Sequence, residues 1–193
     1  RPTVFTREMA QELSQAAGEM GVDCPIHFAV DTGMSRIGYQ VTEEAADEMA
    51  QIARLPHIMV EGIFTHFARA DEADKTSAEE QLALFEKMIS MLEERGIEIP
   101  IKHCSNSAGI VELKEANMDM VRAGITLYGL WPSEEVRRDI IDLKPALSLI
   151  THVAYVKDLE AGRAISYGGT YVTKRPSRIA TIPVGYADGY ARG

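Results

Sequence analysis

Up to Trp131 the chain alternates two patterns. Short apolar runs rich in β-branched residues are each followed by a stretch with helical spacing. Residues 3–5 predict a strand. Thr6 then offers an N-cap, and Met9, Leu13, Ala16, Ala17 and Met20 fall on one helical face before Gly21. Residues 26–31 predict the second strand. A helix over 42–54 turns Ala45, Ala46, Met49, Ile52 and Ala53 inward, with Pro56 closing it. Residues 60–65 predict the third strand. Ser77 with Glu80 reads as a capping box, and behind it Leu82, Phe85, Ile89 and Leu92 repeat at helical spacing until Gly96. Residues 101–104 and 120–121 predict two more short strands.

Strand alternating with helix implies a parallel sheet, which suits both a doubly wound sheet and a (β/α) barrel. The placement of reactive side chains favours the barrel. Arg36 follows the second strand, and His66 ends the third. Ser105-Asn106-Ser107 follows the fourth, and Arg122 and Gly124 end the fifth. Polar groups at the carboxyl ends of several successive strands are what a barrel's active face needs, whereas an open sheet gathers its site at one switch point. After Pro132 the helical period fades. Residues 147–157, 164–166, 170–173 and 179–184 predict strands, separated by Gly162, Gly168-Gly169 and Pro176. The fold class expected is therefore α/β, a barrel portion over 1–138, a linker over 139–145, and the start of a mostly β domain over 146–193.

Composition narrows the partners. Of 193 residues, 46% are hydrophobic and 25% charged, enough apolar material for a sizeable core. A formal net charge of -9 argues against a nucleic-acid partner, since phosphate binding needs a basic patch. No run of eighteen apolar residues is present, so no membrane span is expected. Two distant cysteines, Cys24 and Cys104, make no disulfide framework and no metal spacing, which points to a reducing, cytoplasmic setting. The chain opens on Arg1 without an initiator Met and stops directly after a motif, and reads as a piece of a longer protein.

The candidate chemistry is ambiguous residue by residue. Asn106-Ser107 and Gly124-Ile125 follow the last two strands, where barrels often hold phosphate with loop amides and a hydroxyl. Ser107 equally suits a helix cap, and Gly124 a plain turn. Arg36, between Gly33 and Gly38, suits either carboxylate binding or an exposed loop. His66 ends an apolar strand, where a buried histidine bonded to a neighbour is the commoner outcome. Arg122 follows an apolar run, and a buried Arg needs partners. Tyr167, before Gly168-Gly169, is a poor base unless its surroundings lower its pKa. Cys24, Cys104, His27, His57 and His152 show no ligand spacing and read as structural.

Their order along the chain is more specific. Residues 30–38 (VDTGMSRIG), 61–68 (EGIFTHFA), 106–108 (NSA) with 121–129 (VRAGITLYG), and 166–168 (SYG) with 182–189 (IPVGYADG) together resemble the alanine racemase family. The resemblance implies a pyridoxal 5'-phosphate enzyme interconverting L- and D-alanine for peptidoglycan. It implies a homodimer in which an N-terminal (β/α)8 TIM-type barrel precedes the β domain. By motif position Ser107, Gly124 and Ile125, with Asn106 beside them, would bind the cofactor phosphate. Arg122 would face the pyridine nitrogen, and Arg36 would contact cofactor and substrate carboxylate. His66 would stand between Arg122 and Tyr167, the catalytic phenol of the partner's site. Arg only donates, which would leave that ring nitrogen unprotonated and moderate the electron sink.

Two departures qualify the resemblance. The family's Schiff-base Lys lies on a first barrel strand that has no counterpart here, and Lys102 is outside its motif. The 193 residues alone are therefore expected neither to racemise alanine nor to hold the cofactor covalently. Ala29 stands where many relatives carry a carbamylated Lys beside the motif Arg, so an anion such as chloride is expected to position Arg36. Competing readings are a serine racemase of the same fold, a non-catalytic cofactor-binding barrel, and a non-enzymatic fragment with open strand edges.

Overall fold

A computed structural model describes residues 1–190, in two compact units, 1–146 and 147 onward. The first unit runs β1 (Thr3–Val4), α1 (Arg7–Met20), β2 (Cys24–Asp31), β3 (Tyr39–Gln40), α2 (Glu43–Ile52), β4 (Ile58–Phe64), α3 (Thr76–Glu94), β5 (Ile101–His103) and α4 (Ser107–Glu112). Its sheet has the order β1-β2-β4-β5, all parallel, with β3 paired separately to β2. Strand order follows chain order, without the reversal that a doubly wound sheet shows. The unit therefore holds a partial parallel sheet whose strands advance one place at a time.

The helices start where local chemistry satisfies their free amides. Thr6 Oγ1 accepts from Met9 N and Thr42 Oγ1 from Ala45 N, as N-caps do. The Ser77–Glu80 capping box does not form. α3 begins two residues earlier, at Thr76 after Lys75 as N-cap, where Asp74 accepts from both the amide and the hydroxyl of Thr76. The helices bury one face each against the sheet. Ala10 and Ala17 of α1, Ala46, Met49 and Ile52 of α2, and Phe85, Met88 and Leu92 of α3 join Ile26, Phe28, Val30 and Ile63 in one core. Each large side chain so buried contributes about 1.5–3 kcal/mol. Met20, expected on the inward face of α1, is 76% exposed, because the true contact stripe of this helix runs through Ala10, Leu13 and Ala17.

The other sheet face carries the chemistry. Register pairs His27 with Gly62, Ala29 with Phe64, and Phe64 with His103. Paired residues of a parallel sheet point the same way, so these side chains share the face opposite the helices. A β-bulge interrupts β4: Ile26 pairs with Val60 but His27 with Gly62, leaving Glu61 as the extra residue.

Residues 120–121 form no strand. Only two backbone bonds join that segment to β5 and its sequel, Asp119 N to Lys102 O and Arg122 N to Ser105 O. The Asp119 side chain accepts from Lys102 N where a ladder carbonyl would otherwise stand.

The second unit has two antiparallel pairs, β6 (Tyr155–Leu159) with β9 (Ser177–Thr181) and β7 (Ala164–Ile165) with β8 (Tyr171–Val172). Residues 147–153, expected to open the first strand, stay irregular, because the β6–β9 ladder starts only at Tyr155 opposite Thr181. Thr173 is buried, its hydroxyl donating to Glu160 O and accepting from Arg163 N. Among the described residues no helix is long and apolar enough to cross a membrane.

Candidate active site

The loop after β2 is built by its own sequence. Asp31 Oδ1 accepts from Gly33 N (3.0 Å) and Ser35 N (2.9 Å), and Oδ2 accepts from Gln40 Nε2. Gly38 is obligatory where the chain returns as β3, since a Cβ there would lie 2.5 Å from Asp31 N. The loop presents Met34 to a pocket and leaves Arg36 exposed. Among the described residues no carboxylate lies within ion-pair distance of Arg36. Ala29 is buried on β2.

That pocket, about 370 Å³, opens at the carboxyl ends of the strands. Its wall brings together His66 and Phe67 after β4, Asn106 and Ser107 after β5, and Arg122, Gly124 and Ile125. A larger hollow of about 600 Å³ between Glu93 and Lys102 lies at the opposite end of β5 and gathers no such set. Ser107 Oγ is a focus of donors. It accepts from Gly124 N (2.9 Å), Thr126 N (3.4 Å) and the Thr126 hydroxyl (3.1 Å), and nothing but Ser107 Oγ lies within 4 Å of the Cβ position of Gly124. Those three donors are spent on Ser107 Oγ; a cradle for an anion comes from the hydroxyl's own proton and from the amides when they turn from Ser107 to the anion. Asn106 is committed to the scaffold, accepting from Gly109 N as the N-cap of α4 and donating to Phe67 O.

Arg122 forms the pocket's cationic wall. Nη2 donates to Thr65 O (2.7 Å), Cys104 O (3.2 Å) and His66 Nδ1 (3.2 Å); Nη1 donates to His103 O (3.2 Å) and His103 Nδ1 (2.6 Å). The guanidinium lies 5.2 Å from the Phe64 ring centre. Burial lowers its pKa, but a guanidinium stays protonated in proteins. Its contacts are carbonyls and imidazoles, without a carboxylate. The pKa of His66 is lowered by burial first, then by Arg122 and Arg36. His66 Nδ1 accepts from Arg122, so the neutral ring carries its proton on Nε2.

Gln81 of α3 holds this corner from behind. Its Nε2 donates to Thr32 Oγ1 (3.1 Å) and His66 O (3.0 Å), and its Oε1 accepts from Ala68 N (2.9 Å). Sequence reading missed Gln81 and Thr126. Nothing in helical spacing separates Gln81 from a surface polar residue, whereas Thr126 stood inside a quoted motif. Lys102 is tied to Ile99 O, away from the pocket. Tyr167 lies in the second unit, 81% exposed, in a 3-10 turn over Tyr167–Gly169, and is not among the residues that the pocket brings together.

Two family models match the chain: the alanine racemase N-terminal domain over residues 1–132 and the alanine racemase C-terminal domain over 146–193. The chain belongs to the alanine racemase family. The alanine racemase of Clostridium perfringens is 49% identical over 98% of this chain and 49% of its own length. That of Methanococcus maripaludis is 47% identical over 98% of this chain and 51% of its own. Among solved structures, alanine racemase from Clostridium difficile 630 aligns with a TM-score of 0.82 at 43% identity, covering 98% of this chain and 50% of that one. Alanine racemase from Bacillus anthracis with bound L-Ala-P aligns at 0.75 and 36% identity, covering 97% and 49%. The chain spans about half the length of the curated relatives it matches.

Proposed function

We propose that this chain is the central part of a pyridoxal 5'-phosphate racemase that interconverts L- and D-alanine, supplying D-alanine for peptidoglycan, and that its parallel sheet is an arc of a (β/α)8 barrel. The observation that carries the reading is the pairing, in one strand-end pocket, of Ser107 and Gly124 with a half-buried Arg122 that no carboxylate touches among the described residues. Such a donor set fits a phosphate, and a cation-lined wall fits the acceptor nitrogen of a pyridine ring. When bound, the cofactor supplies an electron sink for the charge left as the substrate's α-proton departs.

The chain's own residues do the rest. Ser107 with the amides of Gly124 and Ile125 holds the phosphate, and Asn106 fixes the loop that aims Ser107. Arg122 offers a hydrogen bond and never an acceptor, which keeps the ring nitrogen unprotonated. Arg36, exposed and without an ion pair among the described residues, binds the substrate carboxylate. His66, with its proton on Nε2, donates toward the phenol of Tyr167 supplied to the site by a partner subunit. That donor orients the phenol that takes and returns the substrate's α-proton.

Purified full-length protein loaded with the cofactor is expected to convert either alanine enantiomer to the racemate, followed by loss of optical rotation. Tyr167→Phe is expected to abolish that loss. Turnover of serine in preference to alanine, or of neither, overturns the substrate assignment or the enzyme reading respectively.

A further inference from the structure

Behind Arg122 runs a chain of side chains that the pocket chemistry above does not use. His103 Nε2 lies 2.9 Å from His27 Nδ1, and His27 Nε2 lies 3.2 Å from Glu61 Oε2. Glu61 is also held by the Arg1 guanidinium. Both histidines are buried, and Phe64 stacks on His103 with ring centres 5.1 Å apart. The direction of every bond is forced. Arg122 only donates, so His103 Nδ1 must accept. A neutral His103 then carries its proton on Nε2 and donates to His27 Nδ1. His27 in turn carries its proton on Nε2 and donates to the Glu61 carboxylate. Burial, then the charge of Arg122, hold the pKa of His103 down at about 3, in keeping with a neutral ring.

Two features of the backbone reserve space for this arrangement. A Cβ on Gly62 would lie 2.5 Å from both Cε1 and Nδ1 of His27, so that residue leaves room for the ring. The bulge at Glu61 sets that residue out of the regular alternation, and its carboxylate meets the far edge of His27. A glycine and a bulge serving one imidazole are hard to explain by packing alone.

We propose that His103, His27 and Glu61 form a one-way hydrogen-bond relay that fixes Arg122 from behind, with His27 and Glu61 acting as positioning residues for the pocket's cationic wall. No proton moves along it. Its role is orientation, as outer partners orient the groups that touch a ligand. The link to cofactor binding rests on the racemase reading, but the protonation pattern does not, so the two can fail separately.

Nitrogen-15 histidine spectra of the full-length protein, without cofactor and near neutral pH, read that pattern directly. His27 and His103 are each expected as a single neutral species protonated on Nε2. Glu61→Leu removes the terminal acceptor and is expected to shift the His27 Nε2 resonance as its hydrogen bond is lost, while His103, whose tautomer Arg122 fixes, stays protonated on Nε2. It is also expected to weaken pyridoxal 5'-phosphate binding severalfold. Glu61→Gln keeps an acceptor oxygen and is expected to restore both. A proton on Nδ1 of either ring in the unaltered protein overturns the relay. So does a His27 Nε2 resonance indifferent to Glu61→Leu. Should Glu61→Leu fail to fold, the unaltered spectrum still decides.

Discussion

Gln81→Leu tests whether the site's corner is held from behind as described. Leu roughly preserves volume but deletes the three hydrogen bonds to Thr32, His66 and Ala68. At about 1 kcal/mol net each, they sum to about 3 kcal/mol. Leu returns about 1 kcal/mol through the apolar surface it buries, leaving a net loss of about 2 kcal/mol. In equilibrium urea unfolding of the full-length protein, a slope of about 2 kcal/mol/M turns that into a midpoint lower by about 1 M. The carbonyl of His66 is one of the lost partners, so the imidazole is expected to drift. Turnover should fall about ten- to hundredfold at temperatures where the variant is fully folded. A midpoint shift below about 0.2 M, with unchanged slope and full activity, refutes the reasoning.

Other outcomes follow from the same geometry. Ser107→Ala deletes the focus of the anion cradle; losing a hydrogen bond to a charged group costs about 1.5–3 kcal/mol, so cofactor affinity by equilibrium dialysis should drop about ten- to hundredfold. Gly62→Ala drives a methyl into the His27 ring and should destabilise by about 1–3 kcal/mol, read as a lower unfolding midpoint. Acid should weaken the fold through His103. Its folded pKa, about 3, lies below the unfolded value, so only the unfolded chain takes up this proton as pH falls from about 6.5. The stability it contributes is intact above that range and is lost progressively toward about pH 3. His103→Gln keeps an acceptor for Arg122 and a donor for His27 without titrating there, so its stability curve should be flatter over that window.

The long periodic elements were legible because spacing alone defines them. Phe85, Ile89 and Leu92 announced α3, and alternation of strand and helix announced the parallel sheet. The ends were less legible. Lys75, not Ser77, stands at the N-cap of α3, with the Asp74 carboxylate holding both donors of Thr76. Residues 120–121 lacked a full ladder partner despite their apolar side chains. Of the site, the pocket residues were readable through ordered motifs, whereas His27 looked merely structural. Its partners stand 34 and 76 residues away, and a relay of this kind imposes no spacing on the sequence; only the fold brings the rings together.

The extra residue at Glu61 is also one that the ladder does not need. Val60 stands opposite Ile26 and Gly62 opposite His27, neighbours on β2, so the bulge absorbs Glu61 without changing the face of anything that follows. Deleting Glu61 would therefore leave an unbroken ladder and the pocket residues on their own face, while His27 lost its carboxylate. The strand carries one residue more than its pairing requires, and the surplus is the one that meets the imidazole.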